Sequence, residues 1–282
     1  MRRLIRSALF VPASKPRAIQ KATYLGADML ILDLEDAVGP GEKEDARKAA
    51  ETALQIWSGA GAVRAIRVNA LDTDWAQADF AVAARADAVV LPKIEQVGDL
   101  HEARAALNAH GSSVPIWAMI ETPKSVLGVA SIAAATGTGL AGLIAGTNDL
   151  CKDLKCRPEQ GRMALVPHLA QMVCAARAHG LYSLDGVYNH FLDPKGFRSE
   201  AEQGHILGFD GKSLIHPNQV DLAHLYFGPS PDELEYAARV VAAFAAPENA
   251  GKGVISLNGD MIERLHLDAA RSLLAMGGDN DA

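Results

Sequence analysis

The stretch Gly142-Leu-Ile-Ala-Gly-Thr-Asn-Asp149-Leu150 decides the fold: an apolar run that opens on a glycine and stops at a single carboxylate. A short apolar run with such boundaries reads as a buried parallel strand. A polar residue at the carboxyl end of that strand stands where barrel enzymes place their chemistry. The preceding run, Pro115-Ile-Trp-Ala-Met-Ile-Glu121-Thr122, ends the same way, so two successive strands bring Glu121 and Asp149 to one point above the sheet. Paired carboxylates suit a hard cation such as Mg²⁺, with Mn²⁺ as a substitute, and leave positions open for a substrate's oxygens. The alternative is that each acid only caps the helix that follows it, since acids favour helix N-termini.

Working outward, the 282 residues are 49% hydrophobic and 22% charged, enough for one large domain with a full core. The formal charge of -7 argues against a nucleic-acid partner. Cys151, Cys156 and Cys174 have no zinc spacing and leave an odd thiol, which fits a reducing, cytoplasmic setting. The N-terminal segment soon meets Pro12, Lys15 and Pro16 without a continuous apolar run, so it is read as neither signal peptide nor membrane span.

Strand-like and helix-like segments alternate along the chain. Ser7 to Ala13, Met29 to Asp33, Val63 to Asn69 and Ala88 to Ile94 are the first four expected strands, and each is followed by a helix. The pair above supplies the fifth and sixth, with a helix from Arg162 to His179 after them. Leu184 to Val187 and Gly211 to His216 complete eight, before a helix from Pro231 to Ala246. Eight such units without a glycine-rich dinucleotide fingerprint point to an α/β fold, a TIM (β/α)₈ barrel, rather than a doubly wound sheet. Asp33, Glu35, Asp36, Arg67, Lys93, Glu121, Asp149, Asn189 and His216 then fall at or just past strand ends, on one face. Residues 1–250 are assigned to the barrel and 251–282 to a C-terminal extension, with an amphipathic helix from Met261 to Met276 packed on its own barrel or on a neighbouring subunit.

The series Arg6-Ser7…Leu9-Phe10-Val-Pro12, Asp33-Leu-Glu-Asp36, Arg67-Val-Asn69, Leu91-Pro-Lys93, Ile120-Glu-Thr122, Gly146-Thr-Asn-Asp149, Gly211-Lys-Ser-Leu-Ile-His-Pro-Asn-Gln219 and Gly259…Met261-Ile262 resembles the citrate lyase β-subunit-like family, which includes malyl-CoA and citramalyl-CoA lyases. The resemblance covers essentially the whole chain, in order. It implies a Mg²⁺-dependent barrel that cleaves or forms a short 3-hydroxyacyl-CoA at the bond between its α and β carbons, giving acetyl-CoA and a 2-oxo acid.

That chemistry needs a hold on an oxo-acid carboxylate and stabilisation of charge developing on oxygen. Glu121 and Asp149 would carry the metal and, with Asn148, the substrate. Arg67, whose planar fork keeps its charge, is the catalytic partner, with an ion pair to Glu35 or Asp36 as its alternative role. Glu35 and Asp36 are read as orienters of Arg67, of metal-bound waters or of His216. By resemblance, Phe10, Lys15 and Lys21 lie along the coenzyme A path, and Ile215 and His216 near the thioester arm. The family's Met-Ile-Asp segment brings a catalytic acid over the adjacent subunit's site. Here Met261-Ile262-Glu263 stands in its place, one methylene longer, and implies a homotrimer or hexamer. Three other readings stay open: a malyl-CoA thioesterase, a metal-dependent aldolase that does without coenzyme A, and a non-catalytic accessory subunit.

Overall fold

The structure, a computed structural model, describes residues 3–157 and 161–277. Eight parallel strands pair in sequence order: β1 (Ser7–Pro12), β2 (Met29–Asp33), β3 (Val63–Arg67), β4 (Ala88–Leu91), β5 (Ile116–Ile120), β6 (Leu140–Ala145), β7 (Tyr182–Asp185) and β8 (Gly211–Leu214). β8 closes on β1 to give a barrel. Around it run α1 (Pro16–Ala22), α2 (Lys43–Ile56), α3 (Ala76–Ala83), α4 (Val97–Ala109) and α5 (Pro123–Ala133). They are followed by α6 (Thr147–Leu154), α7 (Val166–Ala178), α8 (Pro194–Leu207) and α9 (Val220–Phe227).

Successive strand side chains point to opposite faces, and the chain uses both. Ala8, Met29, Ile31, Ala65, Ala88, Val90, Trp117, Met119, Ile144 and Leu184 form the cluster that fills the barrel. The residues between them, among them Leu9, Leu30, Leu32, Ile66, Val89 and Leu143, pack outward against the helices. At about 1.5–3 kcal/mol for each fully buried aliphatic side chain, these two layers supply most of the driving force. Carried two residues past Ile31, Ala65 and Met119, the inward series reaches Asp33, Arg67 and Glu121. The periodicity that builds the core therefore delivers the polar residues to the top of the barrel.

Several boundaries differ from the sequence reading. The run Gly142 to Leu150 is not one strand: β6 ends at Ala145, and α6 begins at Thr147. Thr147-Asn148-Asp149 has the polar composition of a helix's first turn, so Asp149 is placed by a helix. β7 lies at Tyr182–Asp185 rather than Leu184 to Val187, and α8 lies between β7 and β8.

The barrel unit spans residues 5–227, and a second unit comprises residues 228–277 with Arg3 and Leu4. The expected boundary at 250 therefore falls inside the second unit. It contains α10 (Pro231–Ala245), β9 (Val254–Leu257), β10 (Asp260–Glu263) and α11 (Arg264–Gly277). Ala237, Val240, Ile255, Ile262 and Ala270 make a core of their own. The helix once counted as the barrel's last belongs here, and α9 takes its place. Met261 to Glu263 is strand, not helix, because Asn258 and Gly259 hold φ of 55° and 96° and turn the chain back as a hairpin. Among the described residues no helix is long and apolar enough to cross a membrane.

Candidate active site

Asp33 and Arg67 end neighbouring strands and are direct partners in the β2–β3 register. Both are buried. Arg67 Nε donates to Asp33 Oδ1 at 2.8 Å and Nη2 donates to Oδ2 at 2.6 Å, a bidentate fork. The same Asp33 oxygens accept from the backbone N–H of Glu35 at 2.9 Å and of Ala37 at 3.2 Å, which fixes the loop after β2. The guanidinium stacks on Phe10, its carbon 4.7 Å from the ring centroid. The remaining nitrogen, Nη1, stands 2.9 Å from Glu35 Oε2 and 3.7 Å from Asp36. Burial works against the Arg67 cation, but Asp33, Glu35 and Asp36 outweigh it and move its pKa up.

Glu121, one residue past β5, is also buried. Its Oε1 accepts the backbone N–H of Lys93 at 2.7 Å. Lys93 takes a left-handed φ of 53°, unusual for a residue with a side chain. Such a conformation persists only where its surroundings over-determine it, and here it aims an N–H at the carboxylate. On the other side Glu121 lies over Gly146, where a Cβ would collide with Cβ and Oε2 of Glu121. Gly146 thus lets the acid pass between β6 and α6. Asp149, in the first turn of α6, is half-buried and lines the same cavity, of about 320 Å³, as Phe10, Asp33, Arg67 and Glu121.

Burial, with Glu35 adding repulsion, pushes Glu121 up to about 7 despite the Lys93 N–H and Arg67. Glu35 is likewise raised to about 7, first by burial and against the pull of Arg67. Its Oε2 lacks a well-aligned hydrogen bond even though Arg67 Nη1 is at ion-pair distance. The separation makes the charge contact real, while the angle leaves the oxygen's lone pairs unused. Five carboxylates, Asp33, Glu35, Asp36, Glu121 and Asp149, thus face three nearby cations, Arg67, Lys93 and Lys43.

Most residues singled out from sequence meet here, with altered relations. Asp33, not Glu35 or Asp36, is the chief partner of Arg67, and the Asp36 side chain is 66% exposed at the rim. Phe10 supports Arg67 from below. Asn148 lines the cavity, but its side chain pairs with Asn189 through bonds of 3.3 and 2.7 Å. Ile215 lines the cavity, whereas the His216 ring stacks on Phe191 at 4.6 Å and accepts from the N–H of Asn218. Lys15 and Lys21 are exposed at the start and end of α1 and, among the described residues, are not part of the lining. Asn69 is not in the lining either. It bonds Asp79 and, with buried Lys43, ties down the loop after β2. Glu263 ends β10 in the second unit, and its backbone N–H donates to His266 Nδ1 at 2.9 Å. Sequence reasoning missed Lys43, the N–H of Lys93, and a charged quartet on the barrel's outer side, three of whose members are buried. There Asp185 holds the Arg162 fork at 2.6 and 2.9 Å and Lys212 at 2.9 Å, and Glu200 accepts from Lys212 at 2.7 Å.

An eight-stranded parallel barrel with acids and an arginine gathered at the carboxyl ends of its strands is the architecture of a barrel enzyme. The family model for HpcH/HpaI aldolase/citrate lyase matches residues 6–217, and the chain belongs to that family. It is 46% identical over 272 residues to a (3S)-malyl-CoA thioesterase of Cereibacter sphaeroides, covering 96% of this chain and 93% of that one. It is 35% identical to the citrate lyase subunit beta of Escherichia coli, covering 96% and 92%. A crystal structure of protein CitE from Mycobacterium tuberculosis with magnesium, acetoacetate and coenzyme A is similar, with TM-score 0.81 and 28% identity over 99% of this chain and 100% of that one.

Proposed function

We propose that this chain is a Mg²⁺-dependent enzyme acting on a short 3-hydroxyacyl-CoA of the malyl-CoA class, and that it hydrolyses the thioester. The observation that carries this reading is the meeting of Glu121 and Asp149 beside the Asp33–Arg67 fork in one cavity at the top of the barrel. The 46% identical thioesterase supports the choice of reaction.

The residues present fit a magnesium ion. Glu121 and Asp149 line one cavity and would be the two protein ligands. That donor set suits Mg²⁺, which keeps several positions for water and substrate. When bound, the ion supplies a Lewis acid for the substrate's oxygens. Glu121 is held for ligation by the Lys93 N–H and by the gap at Gly146. Arg67 is fixed by Asp33 and Phe10, and its Nη1, which now faces Glu35 and donates to Met119 Sδ, would turn to a substrate carboxylate or to charge developing on oxygen. Glu35 buttresses that nitrogen and lies 3.6 Å from Lys93 Nζ. Ile215 gives the acyl-thioester arm an apolar wall.

Carbon–carbon cleavage is the second reading, favoured by the citrate lyase relatives and by the acid in Met261-Ile262-Glu263. One assay separates them. Malyl-CoA is incubated with Mg²⁺, and free CoA with malate is followed apart from acetyl-CoA with glyoxylate. Free CoA with malate, abolished by chelation, is the expected result. Acetyl-CoA with glyoxylate establishes cleavage, and neither product overturns both readings. If cleavage is found, we further propose that Glu263 serves a neighbouring subunit of a homotrimer or hexamer. Mixing inactive Glu263→Gln and Asp149→Ala subunits should then restore activity after exchange, and no recovery sinks that assignment.

A further inference from the structure

α6 ends in a two-bond cap with a chemical consequence. Lys155 holds a left-handed φ of 54°, and its N–H donates to Lys152 O at 3.1 Å, while the N–H of Cys156 donates to Cys151 O, also at 3.1 Å. This pair of bonds folds the residue after the left-handed position back over the helix's last turn. The side chains at the two ends of the longer bond are thereby brought together, and in caps of this kind they frequently form an apolar contact. Here both are cysteines, and burial, with the neighbouring Cys156 thiol, pushes the Cys151 thiol up to about 11. Residues joined in this way lie within the roughly 7 Å Cα separation that a disulfide spans. Cys151 is buried, lining a smaller cavity of about 220 Å³ beside Asn148, whereas Cys156 is half-buried and offers an approach from solvent. Cys174 sits apart, exposed on α7.

We infer that Cys151 and Cys156 form a dithiol oxidation site, at which a hydroperoxide reacts with Cys156 and Cys151 then closes an intrachain disulfide. In the first step the Cys156 sulfur attacks the peroxide and the O–O bond breaks. One oxygen stays as the sulfenic acid, and the other leaves as water, or as an alcohol from an organic peroxide. In the second step the Cys151 sulfur attacks that of Cys156, the S–O bond breaks, and the departing hydroxide takes the Cys151 proton as water. Two thiols are oxidised and one peroxide is reduced. The bridge ties the last turn of the helix whose first turn carries Asp149. The inference depends only on the cap and the two thiols, so it stands independently of the reaction proposed above.

The test uses the full-length folded protein, reduced and then treated with hydrogen peroxide, with remaining thiols alkylated before mass analysis. Reactive thiols should fall from three to one per chain, with loss of two hydrogens, and return to three on dithiothreitol treatment. Lys152 and Lys155 lie between the cysteines, so the bridge should link two tryptic fragments that otherwise separate. Cys174→Ser should still form it, and Cys156→Ser should not. Because Cys156 is half-buried, Cys156→Ser keeps the test decisive if Cys151→Ser fails to fold. Three alkylatable thiols after peroxide, Cys156 driven to sulfinic acid while Cys151 stays alkylatable, or bridging only through Cys174 would each overturn the inference.

Discussion

Replacing Asp33 by Asn changes one atom at the centre of the site, and the structure sets the size of the effect. The carboxylate takes four hydrogen bonds, two from Arg67 and two from the backbone at Glu35 and Ala37. In the amide one oxygen still accepts, while the new NH₂ group meets Arg67 Nη2 and the Ala37 N–H, both donors. Removing one partner of a buried pair costs about 3–5 kcal/mol because the other charge is left uncompensated. Glu35, 2.9 Å from Nη1, still faces the guanidinium, which places the loss near the lower figure, about 3 kcal/mol. With an m-value of about 3 kcal/mol/M, the urea midpoint should drop by about 1 M at unchanged m. Tryptophan fluorescence reports this directly, since Trp57, Trp75 and Trp117 all lie in the barrel unit. The double variant Asp33→Asn/Arg67→Gln should lose less than the sum of the single changes by at least about 1.5 kcal/mol. A single-variant loss below about 1 kcal/mol, or strict additivity, would refute the assignment of Asp33 as the anchor of Arg67.

Magnesium binding should strengthen with pH. Glu121 sits at about 7 in the cation-free protein and must lose its proton to ligate, so affinity falls as pH drops below that value and levels above it. Calorimetry in buffers of different ionisation enthalpy should show proton release near neutrality, and pH-independent affinity would remove Glu121 from the ligand set. Gly146→Ala keeps an allowed backbone, since φ is -93°, but drives a methyl into Glu121. We expect Mg²⁺ affinity to fall more than about tenfold, or ~1.4 kcal/mol, with a smaller loss of stability; unaltered binding would show that Glu121 has room to move. At the barrel's other end, His224 contacts Ser7 at 2.8 Å, and burial lowers its pKa from 6.5 despite Asp28. The folded state binds its proton less readily than the unfolded chain, so this part of the stability is present above 6.5 and is lost as pH falls below it. His224→Gln should flatten acid destabilisation in that window, and an unchanged pH profile would place the effect on other groups.

The barrel was legible because its signal is repeated. Each strand is a short apolar run, and the strand ends carry the polar residues in plain view. What the runs could not convey was the register. That Asp33 faces Arg67 follows from the direct β2–β3 pairing of those two residues, a fact about strand stagger rather than composition. The Lys93 contribution was hidden for another reason. It is a backbone N–H aimed by a left-handed turn, and lysine is not a residue that advertises such a turn. Two other differences did carry readable signals. Gly146-Thr-Asn-Asp149 reads as a break followed by a polar first turn, and Asn258-Gly259 is a hairpin dipeptide. Leu150 drew the expected strand past its true end, and Ile262 drew the expected helix back before its true start.

The electrostatics of the site support the proposed cation. Burial, with repulsion from neighbouring acids, raises both Glu121 and Glu35 to about 7. Arg67 relieves this only in part, because two of its three nitrogens are committed to Asp33 and burial outweighs its pull on both acids. Lys93 approaches Glu35 only to 3.6 Å and remains half exposed. The fold itself holds the acids in this arrangement: a glycine clears the path of Glu121, and a strained lysine backbone points at its oxygen. A pocket built only for stability would have neutralised or exposed these groups. One preorganised for the proposed divalent ion and anionic substrate together would keep the carboxylate excess for the first and the Arg67 nitrogen that faces Glu35 for the second. In that proposal Asp33 matters because it fixes Arg67 and the loop after β2.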